Sequence, residues 1–233
     1  MLTEDALTGT DHQAGHRARM RTRMIEGGAD AFHDYELVEY VLSLVTPRRD
    51  TKPQAKGLIA EFGGLPGLLS ASPAELSRVP GLGETGVAAL KFVQAAAIRS
   101  LRANVTGRPV LSSWQSVLDY LHADMAHRAT EAFRVLFLNA RNMLIRDETA
   151  SEGTVDHTPV FVREIIRRAL ELNATALILV HNHPSGDPRP SRDDIQMTEL
   201  VVEAGRHLGI TVHDHIIIAA SGHASLKALG FLR

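Results

Sequence analysis

Two periodicities divide the chain. From about Asp30 to Arg102 apolar residues recur every three and four positions, as in ELVEYVLSLV, AKGLIAEF and AELSRV, which predicts a run of amphipathic helices. Ser72-Pro73-Ala74-Glu75 supplies a capping hydroxyl, a proline at the first helical position and a glutamate that reaches back, so a helix is expected from there to about Val79. Residues 103–113, ANVTGRPVLSS, lose the period and contain Gly107 and Pro109, which predicts a linker. After about Trp114 a helix-like stretch leads to FRVLFLNA (133–140), a turn at ARN and MLIRDE (143–148), a predicted hairpin. VREIIRRALEL (162–172) puts Val162, Ile165, Ile166, Ala169 and Leu170 on one helical stripe, and ATALILVHNH (174–183) reads as a buried strand. A helix is expected from Ser191 to Gly209 and a last strand at ITVHDHIII (210–218). Strands alternating with helices predict a layered α/β domain behind an all-α domain. The expected divisions are a flexible start at 1–15, an all-α domain at 16–102, the linker at 103–113 and the α/β domain at 114–233.

Composition narrows the chemistry. The chain has no cysteine, which excludes disulfides, thiolate metal sites and cysteine nucleophiles, so any metal must rest on nitrogen and oxygen. Net charge is −2 over 233 residues, with acids and bases balanced in both parts of the chain, so no strong electrostatic trap for nucleic acid is expected. Arg17, Arg19, Arg21 and Arg23 form a local basic run that reads as a solvated helix face. The longest aliphatic stretches, such as ALILV (176–180), are too short to span a bilayer, and a cytoplasmic protein is expected.

The candidate chemistry lies in HNHPSGDPRPSRDD (181–194). On a strand, His181 and His183 project from one face, and Pro184 ends the ladder. The SGDPRP bend then returns the chain to Ser191, an N-cap, with Asp194 at the third helical position. Two imidazoles and one carboxylate with a fourth position left open form the ligand set of a catalytic zinc. Asp187 and Asp193 are rival carboxylates at this stage, the first inside the bend and the second one helical position off.

His181-x-His183, seven residues, Ser191-x-x-Asp194 resembles the JAMM (MPN-plus) metalloprotease signature. The longer HNHPSGDPRPS, with REIIRRAL before it and DHIII after it, resembles the RadC (UPF0758) family, as do ELVEYVLSLVTPRRDTKPQAKGLIAEFGGL and VPGLG in the N-terminal part. The resemblance implies a three-layer, cytidine-deaminase-like JAMM domain behind a small helical domain. It also implies one Zn2+ held by His181, His183 and Asp194, and a peptide or protein substrate cleaved at a peptide or isopeptide bond. Enzymes of this type use a glutamate from an earlier strand as the proton carrier; by position the match is Glu148, with Glu152 and Glu164 as fallbacks. Ser191 is implied to donate a hydrogen bond to the substrate oxyanion as well as to cap the helix.

Two further patterns are weighed. His213-Asp214-His215 is a second H-x-H with both imidazoles expected on one strand face, but no return loop brings it a carboxylate, so Asp214 and His215 are assigned supporting roles. GLGETG (81–86) matches a dinucleotide fingerprint yet follows a helix instead of a strand, which removes that reading. LSRVPGLGETGVAAL (76–90) instead resembles a helix–hairpin–helix, whose amides at Gly81 to Gly83 would hold a DNA phosphate, with Arg78 and Lys91 as the nearby cations. The alternative function is therefore a DNA-associated repair or recombination accessory protein.

Overall fold

The computed structural model describes residues 5–47, 49–153 and 158–232. The chain divides into two compact units, Met1–Ala96 and Ala97–Arg233. The first is helical: α1 (Asp5–Gly27), a 3-10 turn (Ala29–Ala31), α2 (Asp34–Val45), α3 (Lys52–Glu61), α4 (Leu65–Ser70), α5 (Pro73–Leu76) and the start of α6 (Gly83–Val105). Its core gathers Val38, Leu42, Ala55, Leu58 and Leu76, which lie in the segments the helical period picked out, together with Leu68, Leu82 and Leu90.

Several boundaries differ from expectation. α1 is already helical from Asp5, inside the stretch expected to be flexible, and residues 1–4 lie outside the described residues. The Ser72 capping box forms, with the Glu75 amide donating to Ser72 Oγ at 3.2 Å and the Ser72 amide to Glu75 Oε2 at 2.7 Å. Yet α5 stops at Leu76, because Pro80 disfavours helical backbone at Val79. Residues 103–113 are not a free linker either: α6 runs to Val105, Val110 begins a 3-10 turn ending at Ser113, and both valines are buried in the core of the second unit.

That second unit has three layers. β1 (Ala132–Leu138), β2 (Leu144–Glu152), β3 (Ala176–Asn182), β4 (Thr211–Ala219) and β5 (Gly222–Ser225) form one sheet in the order β2-β1-β3-β4-β5. β1 is antiparallel to both β2 and β3, β3 is parallel to β4, and β4 is antiparallel to β5. α7 (Trp114–Met125) covers one face through Val117, Leu121 and Met125, packed on Leu136, Ile178, Val180 and Ile216. α8 (Thr158–Glu171) and α9 (Arg192–Arg206) cover the other through Ile165, Ala169 and Val201, on Val135, Phe137, Leu177 and Leu179. β1 and β3 are buried on both faces, which is why they read as unbroken apolar runs instead of alternating ones. The short strand β5 carries only GHAS and no pattern that sequence reading could use.

The topology positions one locus. With β1 antiparallel to β3, the start of β1 lies beside the end of β3, where Phe133 pairs with His181. α9 ends three residues before Gly209, whose φ of +70° turns the chain into β4.

Candidate metal centre

His181 is the penultimate residue of β3 and is 2 % exposed, packed against the ring of Phe133. His183 follows the strand, its amide donating to the Ile218 carbonyl at 2.8 Å. The bend closes at once: the Gly186 amide donates to the His183 carbonyl at 3.0 Å, with φ of +83° at Gly186, a conformation that favours glycine. Ser191 caps α9, its Oγ accepting from the Asp194 amide at 3.1 Å while its own amide donates to Asp194 Oδ2 at 2.7 Å. That reciprocal box turns the Asp194 carboxylate back toward the strand end.

Two imidazole nitrogens and a carboxylate meet there. His181 Nε2 lies 2.9 Å from His183 Nε2 and 3.1 Å from Asp194 Oδ1, and His183 Nε2 lies 3.5 Å from Asp194 Oδ2. Ligands on arms of about 2.0–2.1 Å at tetrahedral angles stand about 3.3–3.4 Å apart, so the two nitrogens and the carboxylate are spaced much as ligands around zinc would be.

The hydrogen-bond network fixes what those nitrogens carry. The Thr198 hydroxyl donates to the Asp194 carbonyl at 2.6 Å, so its oxygen accepts from His215 Nδ1–H at 2.5 Å. His215 Nε2 is then bare and accepts from His181 Nδ1–H at 2.8 Å, which leaves His181 Nε2 as a lone pair. His183 Nδ1–H donates to the Asp187 carbonyl at 2.8 Å, so His183 Nε2 is also a lone pair. Two lone pairs and a carboxylate at these distances repel one another unless a cation sits among them, and the residues therefore fit a divalent metal. Burial pushes His215 well below the ordinary histidine value against the pull of Asp194, which keeps it neutral as the relay requires. Burial pushes the Asp194 carboxyl up, yet the group lies well below the usual carboxylate range, and the Ser191 amide that donates to its Oδ2 is one cause. Replacing Thr198 by valine keeps the shape but releases this tautomer chain; zinc affinity measured by competition with a chromophoric chelator is expected to fall about tenfold, and an unchanged affinity would refute the relay.

Glu148 does not join this group. Its register partner on β1 is Val135, which pairs with Leu179, whereas the imidazole row runs through Phe133 and His181. Two strand spacings and two residues separate them, on the order of 12 Å between Cα atoms. The carboxylate is moreover taken by Arg168 of α8, whose Nη2 and Nε donate to it at 2.6 and 2.8 Å. The hydrogen bond from Arg168 is the largest influence holding Glu148 below the usual glutamate value. The fallbacks are also engaged elsewhere, Glu164 with Arg167 at 2.8 Å and Glu152 with Arg128 at 3.7 Å. The glutamate that does stand at the site is Glu131, immediately before β1, with Oε1 4.0 Å from His181 Nε2 and its side chain 44 % exposed. Glu131, His181 and His183 offer ligand atoms that all lie within 4.8 Å of one another. Sequence reading passed over Glu131 because only the β1–β3 pairing brings it there; its one local signal is an acidic residue at the mouth of a buried strand.

The rival carboxylates separate as well. Asp187 turns its carboxylate to Arg189 and offers His183 only its main-chain oxygen, and Asp193 is exposed on the first turn of α9. In the second H-x-H, a β-bulge between the Val212 and Asp214 pairs breaks the alternation expected to put both imidazoles on one face. His213 bonds Asn142 at 2.7 Å, while His215 supports His181. Asp214 accepts from the amides of His215 and Lys227 at 2.7 and 3.1 Å and from Ser225, which ties β4 to β5 and the following turn.

A three-layer α/β unit with an H-x-H strand end facing an S-x-x-D helix start defines the JAB class of domain, and the RadC-like JAB domain family matches residues 111–231. The chain is 54 % identical to a UPF0758 protein of Rhodobacter capsulatus over 213 residues, 91 % of this chain and 100 % of that one. It is 52 % identical to a UPF0758 protein of Ruegeria pomeroyi over 217 residues, 93 % of this chain and 97 % of that one. The chain belongs to the RadC (UPF0758) family. Among the described residues no helix is long and apolar enough to cross a membrane.

Proposed function

We propose that the protein is a zinc-dependent hydrolase of JAMM type acting on peptide or isopeptide bonds in the cytoplasm, with His181, His183 and Asp194 holding the ion. The observation that carries this reading is the meeting of two bare imidazole nitrogens and a carboxylate within 2.9–3.5 Å, with a partly exposed glutamate 4.0 Å away. When bound, zinc would polarise a carbonyl and lower the pKa of a water toward about 7. Glu131, in place of Glu148, accepts the proton of the attacking water and returns it to the leaving nitrogen. Ser191 uses its lone pair for the Asp194 amide, which leaves its O–H to donate to the oxyanion.

The test is cleavage of a denatured proteome by the zinc-loaded protein, with new N-termini counted by mass spectrometry. Glu131→Gln is expected to keep zinc bound, at an affinity about three- to tenfold lower, and to lose roughly 10²–10⁴-fold in rate, and Glu148→Gln to stay near wild type. Equal cleavage by Glu131→Gln and wild type would sink the assignment. Contact of Gly81 to Gly83 with DNA has less support: both glycines have positive φ and Gly83 opens α6, but Lys91 donates inward to the Leu69 and Ala71 carbonyls.

A further inference from the structure

We propose that Asn182, the residue between the two imidazoles, is a positioning residue that sets where the Glu131 carboxylate stands; the inference rests on the reading of Glu131 as the proton carrier. Asn182 ends β3 and is 0 % exposed, and by strand alternation it faces away from His181. Its side chain reaches across to β1. Asn182 Oδ1 accepts from the Ala132 amide at 2.9 Å, and Asn182 Nδ2 donates to the Thr130 carbonyl at 3.1 Å. These are the two residues on either side of Glu131.

The β1–β3 ladder ends at the pair Phe133–His181, so the asparagine head continues it by one rung where backbone pairing has stopped. On the far side the Gly153 amide donates to the Glu131 carbonyl at 2.8 Å. The main chain of 130–132 is thus held from both flanks, and only the Glu131 side chain is left to extend toward His181. A planar amide is suited to this because one head carries an acceptor for the amide and a donor for the carbonyl. Leucine would leave the buried Ala132 amide and the Thr130 carbonyl without this partner, and aspartate would place a negative oxygen against the Thr130 carbonyl. One strand end therefore serves the centre twice: its odd residues offer ligands and the even residue between them aligns the proton carrier.

The test uses the full chain with Asn182→Leu, Asn182→Asp, Glu131→Gln and the Asn182→Leu/Glu131→Gln double variant. Two readouts are independent of turnover: amide hydrogen exchange at Ala132 and zinc affinity. In Asn182→Leu the Ala132 amide is expected to exchange about 30-fold faster while Leu177 and Leu179 keep their protection. Asn182→Leu and Glu131→Gln are each expected to weaken zinc about three- to tenfold, and the double variant no more than the worse single one. Asn182→Asp, which retains the acceptor, is expected to protect Ala132 and still weaken zinc, and it carries the test if the leucine variant does not fold. Wild-type exchange at Ala132 in Asn182→Leu, or zinc losses that multiply in the double variant, would overturn the clamp. Wild-type zinc affinity in Glu131→Gln would instead overturn the placement of Glu131, so the two failures are distinguishable.

Discussion

Replacing His181 by alanine is expected to leave the protein without its metal. The imidazole is 2 % exposed and supplies the nitrogen closest to both other ligands, at 2.9 and 3.1 Å. A zinc site worth about 10–16 kcal/mol over four ligands loses on the order of a quarter of that with one of them, a fall of about 10²–10³-fold in affinity. After dialysis against a weak chelator, elemental analysis is expected to find about one zinc per chain in the wild type and almost none in the variant. Zinc also binds the folded chain in preference to the unfolded one, so it raises wild-type stability by about 4 kcal/mol at a thousand times its Kd. The variant is expected to melt at the same temperature with and without zinc. A full zinc complement in His181→Ala would remove the centre described here.

The second large effect lies on the opposite face of the sheet. Arg134 of β1 is buried under α7, donates to the Tyr120 hydroxyl at 2.9 Å and to Asp124, and stands 3.4 Å from Asp147. Tyr120 donates in turn to Asp147. Burial alone would raise Asp124, but Arg134 and Arg128 hold it below the usual carboxylate value, and burial pushes the Tyr120 hydroxyl well up so that it stays a donor. Arg134→Met fills the space but takes the buried guanidinium from two carboxylates, leaving Asp124 only Arg128 and Asp147 only the Tyr120 hydroxyl, and it is expected to cost about 3–5 kcal/mol in urea unfolding. The pH dependence carries a second signature. Because the folded Asp124 carboxyl lies below its ordinary value of 3.8, its contribution is complete above that pH and lost as pH falls below it. The variant is expected to lose most of this acid-side slope. A cost under about 1 kcal/mol would show the network to be no better than an exposed ion pair.

The meeting of the proposed metal ligands was legible in advance because they are local. His181, His183 and Asp194 lie on one strand, one bend and one helix cap, and strand alternation together with capping geometry brings them together without reference to any other part of the chain. The apolar periods likewise defined the helical part and the buried strands, since burial on one stripe or on both faces leaves its mark residue by residue. What local pattern left open was how distant segments pair: the supporting role expected of His215 holds, but its partners and the glutamate at the site were not legible. Glu148 sits on a strand in the expected order, but its register gives it to Arg168, while Glu131, 50 residues before His181, reaches the site because β1 runs antiparallel to β3. Thr198 and His215 came to His181 through the packing of α9 on β4, and a single bulge parted His213 from His215. Composition and short-range spacing determined which ligands this chain carries and how its layers are built. Strand register and helix docking decided which carboxylate stands beside them, because a hydrogen-bonded ladder can slide two residues with no trace in either strand's own pattern of polar and apolar positions.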